Sequence, residues 1–342
     1  MNWMAEVRQR VDVRLESYLS GKRDAAAALS ADSAELVEAI RVLTMRGGKR
    51  LRPAVLFAAY SAVRPDEADD DVGPTIEAGA ALEVLQTYLL IHDDWMDGDV
   101  ERRGGPSVHA ALTQRYGDAH LGAAVAILAG DLASAYAWDL LSSASFPDGR
   151  VGDALKAFRV MQEEVVLGQH LDLIGSRDVS LMQHLKTGSY TVRGPLSLGA
   201  ILGNGTAHQV SQLILFGEPL GVAFQLRDDL LGTFGDPATT GKPAGNDLRA
   251  GKRTALIAAA EQLLAPAARG PLEMVLGRAD AADTDVARAT ALLVSCGARA
   301  EVERSLRAFV ATASAALPAG SFSARGRARL GALLALLTER DH

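Results

Sequence analysis

The chain has 342 residues, 48% of them hydrophobic but only 5% aromatic, a formal net charge of -7 and one cysteine, Cys296. The negative balance offers no bulk attraction to nucleic acid or to an anionic membrane, so any polyanionic ligand must be met by local basic clusters or metal ions. A lone cysteine excludes an internal disulfide and fits a reducing compartment.

The Ala- and Leu-rich apolar content favours helices over sheets. Apolar residues at helical spacing predict helices near residues 3–19, 34–46, 51–63, 74–97, 107–116, 119–142, 151–173, 180–187, 190–203, 208–232, 253–265, 285–297, 299–315 and 323–339. The N-terminal stretch "MNWMAEVRQRVDVRLESYL" lacks the unbroken apolar core of a signal peptide. No run reaches the ~18 apolar residues of a membrane span. A cytoplasmic protein with no transmembrane segment is expected. There is no internal repeat and no low-complexity linker, and the acidic "PDEADDDVG" reads as a solvated connection, so a single all-helical domain over 1–342 is the economical expectation. The conspicuous loops are "ERRGGPSVHA" and "GTFGDPATTGKPAGNDLRAGKRT", and loops of such length usually carry function.

The helix near 74–97 runs into "HDDWMDGDVERRGG". Asp93 and Asp97 stack one turn apart, with Asp94 about 100° around the axis. Like charges at that spacing repel, and the helix C-terminus adds partial negative charge, so the cluster is costly unless a cation joins it. Mg²⁺ suits such hard oxygen ligands, because it typically takes one or two carboxylates and completes its shell with phosphate and water. Arg102 and Arg103 follow in a Gly-rich turn, and arginine is the side chain built for forked phosphate contacts. Carboxylates beside arginines describe a diphosphate site.

The pattern returns in "FQLRDDLLGTFGD", where Asp228 and Asp229 close another apolar helix, Gln225 sits a turn before Asp229, and Lys242 and Lys252 follow. Two such ends suggest a cavity between helices with metals at its rim. "RGGKRLRP" adds Lys49, Arg50 and Arg52 around a Gly-Gly turn, without the spacer of a Walker A loop, and "HLKTGSYT" adds Lys186 and Thr187. In company these read as anion ligands.

"GGKRLRP", "LLIHDDWMDGDVERRGGPSVH", "KTGSYT" and "FQLRDDLLGTFGDPATTGKPAGNDLRAGKRT" resemble, in order and spacing, the motifs of the trans-isoprenyl diphosphate synthases, or polyprenyl synthetases, over roughly residues 45–255. The resemblance implies an all-α bundle around a deep cavity, a homodimer, and head-to-tail joining of isopentenyl diphosphate to an allylic diphosphate with Mg²⁺, three ions accompanying the diphosphate. It implies that Asp93, Asp94, Asp97, Asp228 and Asp229 hold metal, Asp93 and Asp97 directly. Lys49, Arg52, Gln86 and Arg103 would bind isopentenyl diphosphate. Arg102, Lys186, Thr187, Gln225, Lys242 and Lys252 would bind the allylic diphosphate, with Lys186 and Lys242 counted among the catalytic groups. The second motif departs from DDxxD, since Gly232 stands third, leaving two motif carboxylates with Asp236 as a helper.

In this family the residues four and five before the first motif limit chain growth; here they are Leu89 and Tyr88, the latter ~7.5 Å below the metal rim. A bulky Tyr88 with a smaller Leu89 implies farnesyl or geranylgeranyl diphosphate, leaning to geranylgeranyl. Two other readings compete. A class I terpene cyclase would need a hydroxyl where Gly232 stands, and a non-catalytic regulatory subunit would typically have lost an acidic motif. His92, packed at a helix end beside carboxylates, reads as structural.

Overall fold

The computed structural model describes residues 3–146, 149–176, 178–235, 245–319 and 321–338. The fold is all-α, as expected, and its contacts group into two compact units. One holds the residues up to Arg159 with Pro195–Val210 and Phe322–Gly326, and the other holds Val160–Gly194, Ser211–Ser321 and the residues from Arg327 onward.

The first unit is built from α1 (Trp3–Ala27), α2 (Ala31–Met45), α3 (Leu51–Val63), α4 (Ile76–Met96), α5 (Val108–Tyr116) and α6 (Ala119–Ser142), with the start of α7 (Arg150–Leu173). Every residue of α3 is buried, as an all-round apolar helix should be. Small residues let α4 come close to its neighbours: a β-carbon on Gly79 would lie 3.2 Å from Pro53 Cβ and 3.3 Å from Val11 Cγ2. Capping explains where α6 begins, because the Asp118 side chain accepts from the Leu121 N–H and Gly117, at φ 69, ends α5 just before it. The loop "ERRGGP" forms a small hairpin instead of irregular coil, β1 (Glu101–Arg102) pairing antiparallel with β2 (Gly105–Pro106).

Arg50 adopts the left-handed region, at φ 47, and its guanidinium is buried. It donates to Asp12 at 2.7 Å, Glu83 at 2.8 Å and the Thr44 carbonyl at 2.9 Å. A buried cation survives only with such a complete set of acceptors. Arg50, grouped with the anion ligands by composition, therefore braces α1, α2 and α4.

By length and composition α6 could cross a membrane, a possibility that the run-length reading had set aside. It packs against α4 and α5 while Leu121 and Leu128 on its outer side remain exposed.

In the second unit, α8 (Val179–Gln183) runs into a π-wound segment (His184–Arg193), and the chain continues as α9 (Gly194–Leu202), which from Pro195 onward belongs to the first unit; the sequence reading places two separate helices over this stretch. The winding shows at its end, where the Gly194 N–H donates to the Ser189 carbonyl five residues back. Such widened turns recur at functional sites. Next comes α10 (Ala207–Phe234), followed by α11 (Asn246–Arg249), α12 (Ala255–Leu263), α13 (Gly270–Glu273), α14 (Asp283–Ser295), α15 (Ala298–Ala319) and α16 (Ala324–Thr338). Leu226 and Leu230 of α10, Leu256 and Ile257 of α12, Leu293 of α14 and Val302 of α15 share one core.

Candidate active site

In the first unit α4 ends at Met96, and the Asp97 N–H donates to the Asp93 carbonyl at 2.8 Å. Asp97 is exposed and Asp93 half-buried, whereas Asp94 is fully buried. The three aspartates are thus not equivalent. Asp94 accepts from Arg102 Nε at 2.6 Å, and Arg102 also reaches Asp99 at 3.1 Å. Burial pushes the Asp94 carboxyl up to about 6 against the pull of Arg102, with the Asp93 and Asp99 charges adding to the rise. Its Oδ2 is buried with no hydrogen-bond partner. Asp94 and Arg102 form the rigid base, and Asp93 and Asp97 carry the accessible charge.

The hairpin turns on Arg103, at φ 54, and sends its side chain to the Gly-Gly turn before α3. Arg103 Nη1 donates to the Gly47 carbonyl at 2.6 Å, and its Nη2 would lie 3.5 Å from a β-carbon on Gly48. Gly48 itself sits at φ 144, a conformation for which glycine is suited. Arg46 holds the same hairpin by donating to the Pro106 carbonyl at 2.5 Å, a bracing role that its place in "RGGKRLRP" did not reveal. Burial lowers the Arg103 pKa; Glu83 opposes this, and the charges of Arg50, Arg52 and Arg102 add to it. A guanidinium crowded by others gains from a bound anion. Arg52 is buried at the start of α3, Lys49 is exposed on the turn, and Gln86 lies half-buried two turns before Asp93 on α4.

In the second unit, Thr187 donates to Gln225 Oε1 at 2.6 Å, and Gln225 Nε2 donates to Asp229 Oδ1 at 2.7 Å. Asp229 also accepts from Gln183 at 3.1 Å and from the Ala255 N–H at 2.9 Å. Burial pushes its carboxyl up to about 6; the Ala255 N–H and the Gln225 and Gln183 side chains resist this, and Asp247 adds to it. Asp229 therefore ties α10 to the end of α8 and to the first turn of α12, while Gln225 carries the link to Thr187 of the π-wound segment. Its neighbour Asp228 is exposed. Lys186 pairs with Asp172 at 2.5 Å, and a β-carbon on Gly168 of α7 would lie 2.3 Å from the Lys186 nitrogen, so α7 and the π segment touch backbone to backbone. Lys252, also exposed, lies 4.0 Å from Asp247. Lys242 and Asp236 lie outside the described residues.

Among the described residues no three His, Cys, Asp or Glu side chains converge as a protein-only metal site. Asp99, Asp172, Gln183 and Asp247 support the clusters without having been singled out by sequence. Only Asp247 carried a legible signal, its place in a Gly-rich, basic loop.

The polyprenyl synthetase family model matches residues 33–293. The chain belongs to the polyprenyl synthetase family. Among curated family members, the geranylgeranyl diphosphate synthase of Mycobacterium tuberculosis is 34% identical, over 79% of this chain and 75% of its own. The geranylfarnesyl diphosphate synthase of Aeropyrum pernix is 33% identical, over 87% of this chain and 92% of its own. Among solved structures, the geranylgeranyl pyrophosphate synthase of Corynebacterium glutamicum, complexed with isoprenyl diphosphate and magnesium, superposes with a TM-score of 0.91 at 35% identity, covering 98% of this chain and 99% of that one. This polyprenyl synthetase thus shares fold and sequence with short-chain synthases over nearly its whole length.

Proposed function

We propose that this polyprenyl synthetase is a short-chain trans-prenyltransferase that condenses isopentenyl diphosphate with allylic diphosphates to give geranylgeranyl diphosphate and inorganic diphosphate. The observation that carries the reading is the division of labour at the end of α4: two accessible carboxylates one turn apart, a buried Asp94–Arg102 base, and Arg103 drawn toward the Gly47–Gly48 turn. The motif resemblance and the short-chain family members support it.

Asp93 and Asp97, with Asp228, would hold Mg²⁺, three ions in all. When bound, the metal neutralises charge on the departing diphosphate. Lys186, Thr187, Gln225, Lys242 and Lys252, with Arg102, orient the allylic diphosphate and share its charge, favouring heterolysis of the allylic C–O bond. Lys49, Arg52, Arg103 and Gln86 fix isopentenyl diphosphate so that its double bond faces the allylic carbon. A new C–C bond forms, one proton leaves the isopentenyl carbon next to the resulting cation, and the released diphosphate accepts it. No side-chain nucleophile is required.

Tyr88 and Leu89, one turn or slightly more below Asp93, form the floor against which the chain stops. Purified protein with Mg²⁺, isopentenyl diphosphate and each allylic primer should give geranylgeranyl diphosphate by chromatography. Products mainly longer than geranylfarnesyl diphosphate would sink the chain-length reading, and Tyr88→Ala should lengthen the product. The exposed leucines of α6 suit a second copy of this chain, making a homodimer in the cytoplasm. Both units, through which the family match runs, are read as one catalytic domain.

A further inference from the structure

Gly130 lies in the middle of α6, in the Ala-rich run "GAAVAILAGDLASAYA". Glycine weakens a helix interior relative to alanine, so its presence among so many alanines calls for a local reason. That reason is the His92 ring. A β-carbon at position 130 would lie 2.2 Å from His92 Nε2 and 2.3 Å from its Cδ2, which no packing adjustment of a few tenths of an ångström relieves. The ring edge occupies the notch left by the missing side chain.

Two further contacts orient the ring. Nε2 lies 3.1 Å from the Ile127 carbonyl, and since a carbonyl only accepts, Nε2 carries the hydrogen and donates it. On its other side the imidazole meets the Tyr88 ring edge-on, with centroids 5.0 Å apart and planes at 72°. Tyr88 and His92 are one turn apart on α4, which is the spacing at which helical side chains touch. Asp131 flanks the ring more loosely, at 3.8 Å.

We infer that His92 and Gly130 are positioning residues for product length: Gly130 seats the imidazole, and the imidazole holds the Tyr88 ring in the orientation that stops the growing chain. This rests on the reading of Tyr88 as the floor. His92, which its helix-end place beside carboxylates marked as structural, becomes the link between α6 and the floor. Without the imidazole, the Tyr88 ring regains rotamer freedom and the stop becomes leaky.

The test measures product ratios with Mg²⁺, isopentenyl diphosphate and farnesyl diphosphate, because a ratio does not depend on how much of a variant is folded. His92→Ala should raise the proportion of product one isopentenyl unit longer by about two- to tenfold, the factor expected for losing one aromatic edge contact. Gly130→Ala should shift the ratio in the parent and have no further effect in the His92→Ala background, where its methyl fills vacated space. If Tyr88→Ala changes the ratio while His92→Ala does not, the inference is overturned and the floor reading stands. Equal effects of Gly130→Ala in both backgrounds also overturn it, since residue 130 would then act without His92. If Tyr88→Ala leaves the ratio unchanged, the floor reading itself falls and takes this one with it.

Discussion

The carboxylate of Asp247 stands where a side chain at Gly232 would begin: a β-carbon on Gly232 would lie 1.9 Å from Asp247 Oδ2. The third position of the second acidic motif is therefore empty in sequence but filled in space. Completing the motif by Gly232→Asp should not improve the enzyme. The new side chain overpacks the site, a change that typically costs about 1–3 kcal/mol, and it sets a second carboxylate against Asp247. Lower melting temperature and lower turnover are expected, both partly restored by adding Asp247→Gly. A single variant as stable as the parent would refute this packing argument.

Arg102 and Asp94 form a pair in which the carboxylate is wholly buried and the guanidinium side chain is 17% exposed. Removing one partner from such a pair leaves an uncompensated charge, at a cost of about 3–5 kcal/mol. Arg102→Ala should lower the unfolding free energy measured by denaturant titration by that order, whereas Lys49→Ala on the exposed turn should move stability by less than about 0.5 kcal/mol and raise the KM for isopentenyl diphosphate. Similar stability losses in the two variants would remove the distinction between the buried Asp94–Arg102 pair and the exposed turn.

Asp139 accepts from the Tyr18 hydroxyl at 2.6 Å and pairs with Lys22 at 2.9 Å. The Tyr18 hydrogen bond first, then Lys22, hold its carboxyl below the usual range. A lowered folded pKa contributes stability that is present above the unfolded value of about 3.9 and is lost as pH falls through the folded one. Acid unfolding of the parent should therefore steepen below about pH 4, and Asp139→Asn should flatten that arm while losing a little stability at neutral pH. The effect is small, because the carboxylate is 45% exposed.

Leu128 is 57% exposed and Leu121 44% exposed, two turns apart on one face of α6. If a second copy covers this face, Leu128→Glu buries a charge against apolar surface and dissociates the pair. Sedimentation should give a dimer for the parent and a monomer for the variant. A monomeric parent would sink the homodimer.

Much of the fold is legible because long apolar, Ala- and Leu-rich runs are bounded by capping and turn residues. The bounds of α3 and α6 agree with the spacing, and Asp118 with Gly117 marks the junction of α5 and α6 by ordinary capping chemistry. Side-chain assignments within the basic turn are less legible. Lys49, Arg50 and Arg52 look alike as letters, and only the acceptors Asp12 and Glu83, brought from α1 and α4, separate Arg50 from the others. The filling of position 232 by Asp247, and the seating of His92 by Gly130, depend on approaches between elements that no local pattern records. The π winding likewise leaves no trace in apolar spacing, which is why 180–203 reads as two helices.

The widened turn at His184–Arg193 sets a phase between the residues on either side of it. Each residue of an α-helix advances the chain by about 100° and 1.5 Å, so the extra residue held in a π turn offsets the downstream face by about that angle. Lys186 and Thr187 keep the orientation that meets Asp172 and Gln225, while Gly194 still presents its bare face to Met161. Deleting one residue here would not merely shorten a helix. It would return the segment to ordinary winding and force a choice between the hydrogen-bonded side and the packed side, two alignments that the π turn allows a single rod to satisfy together.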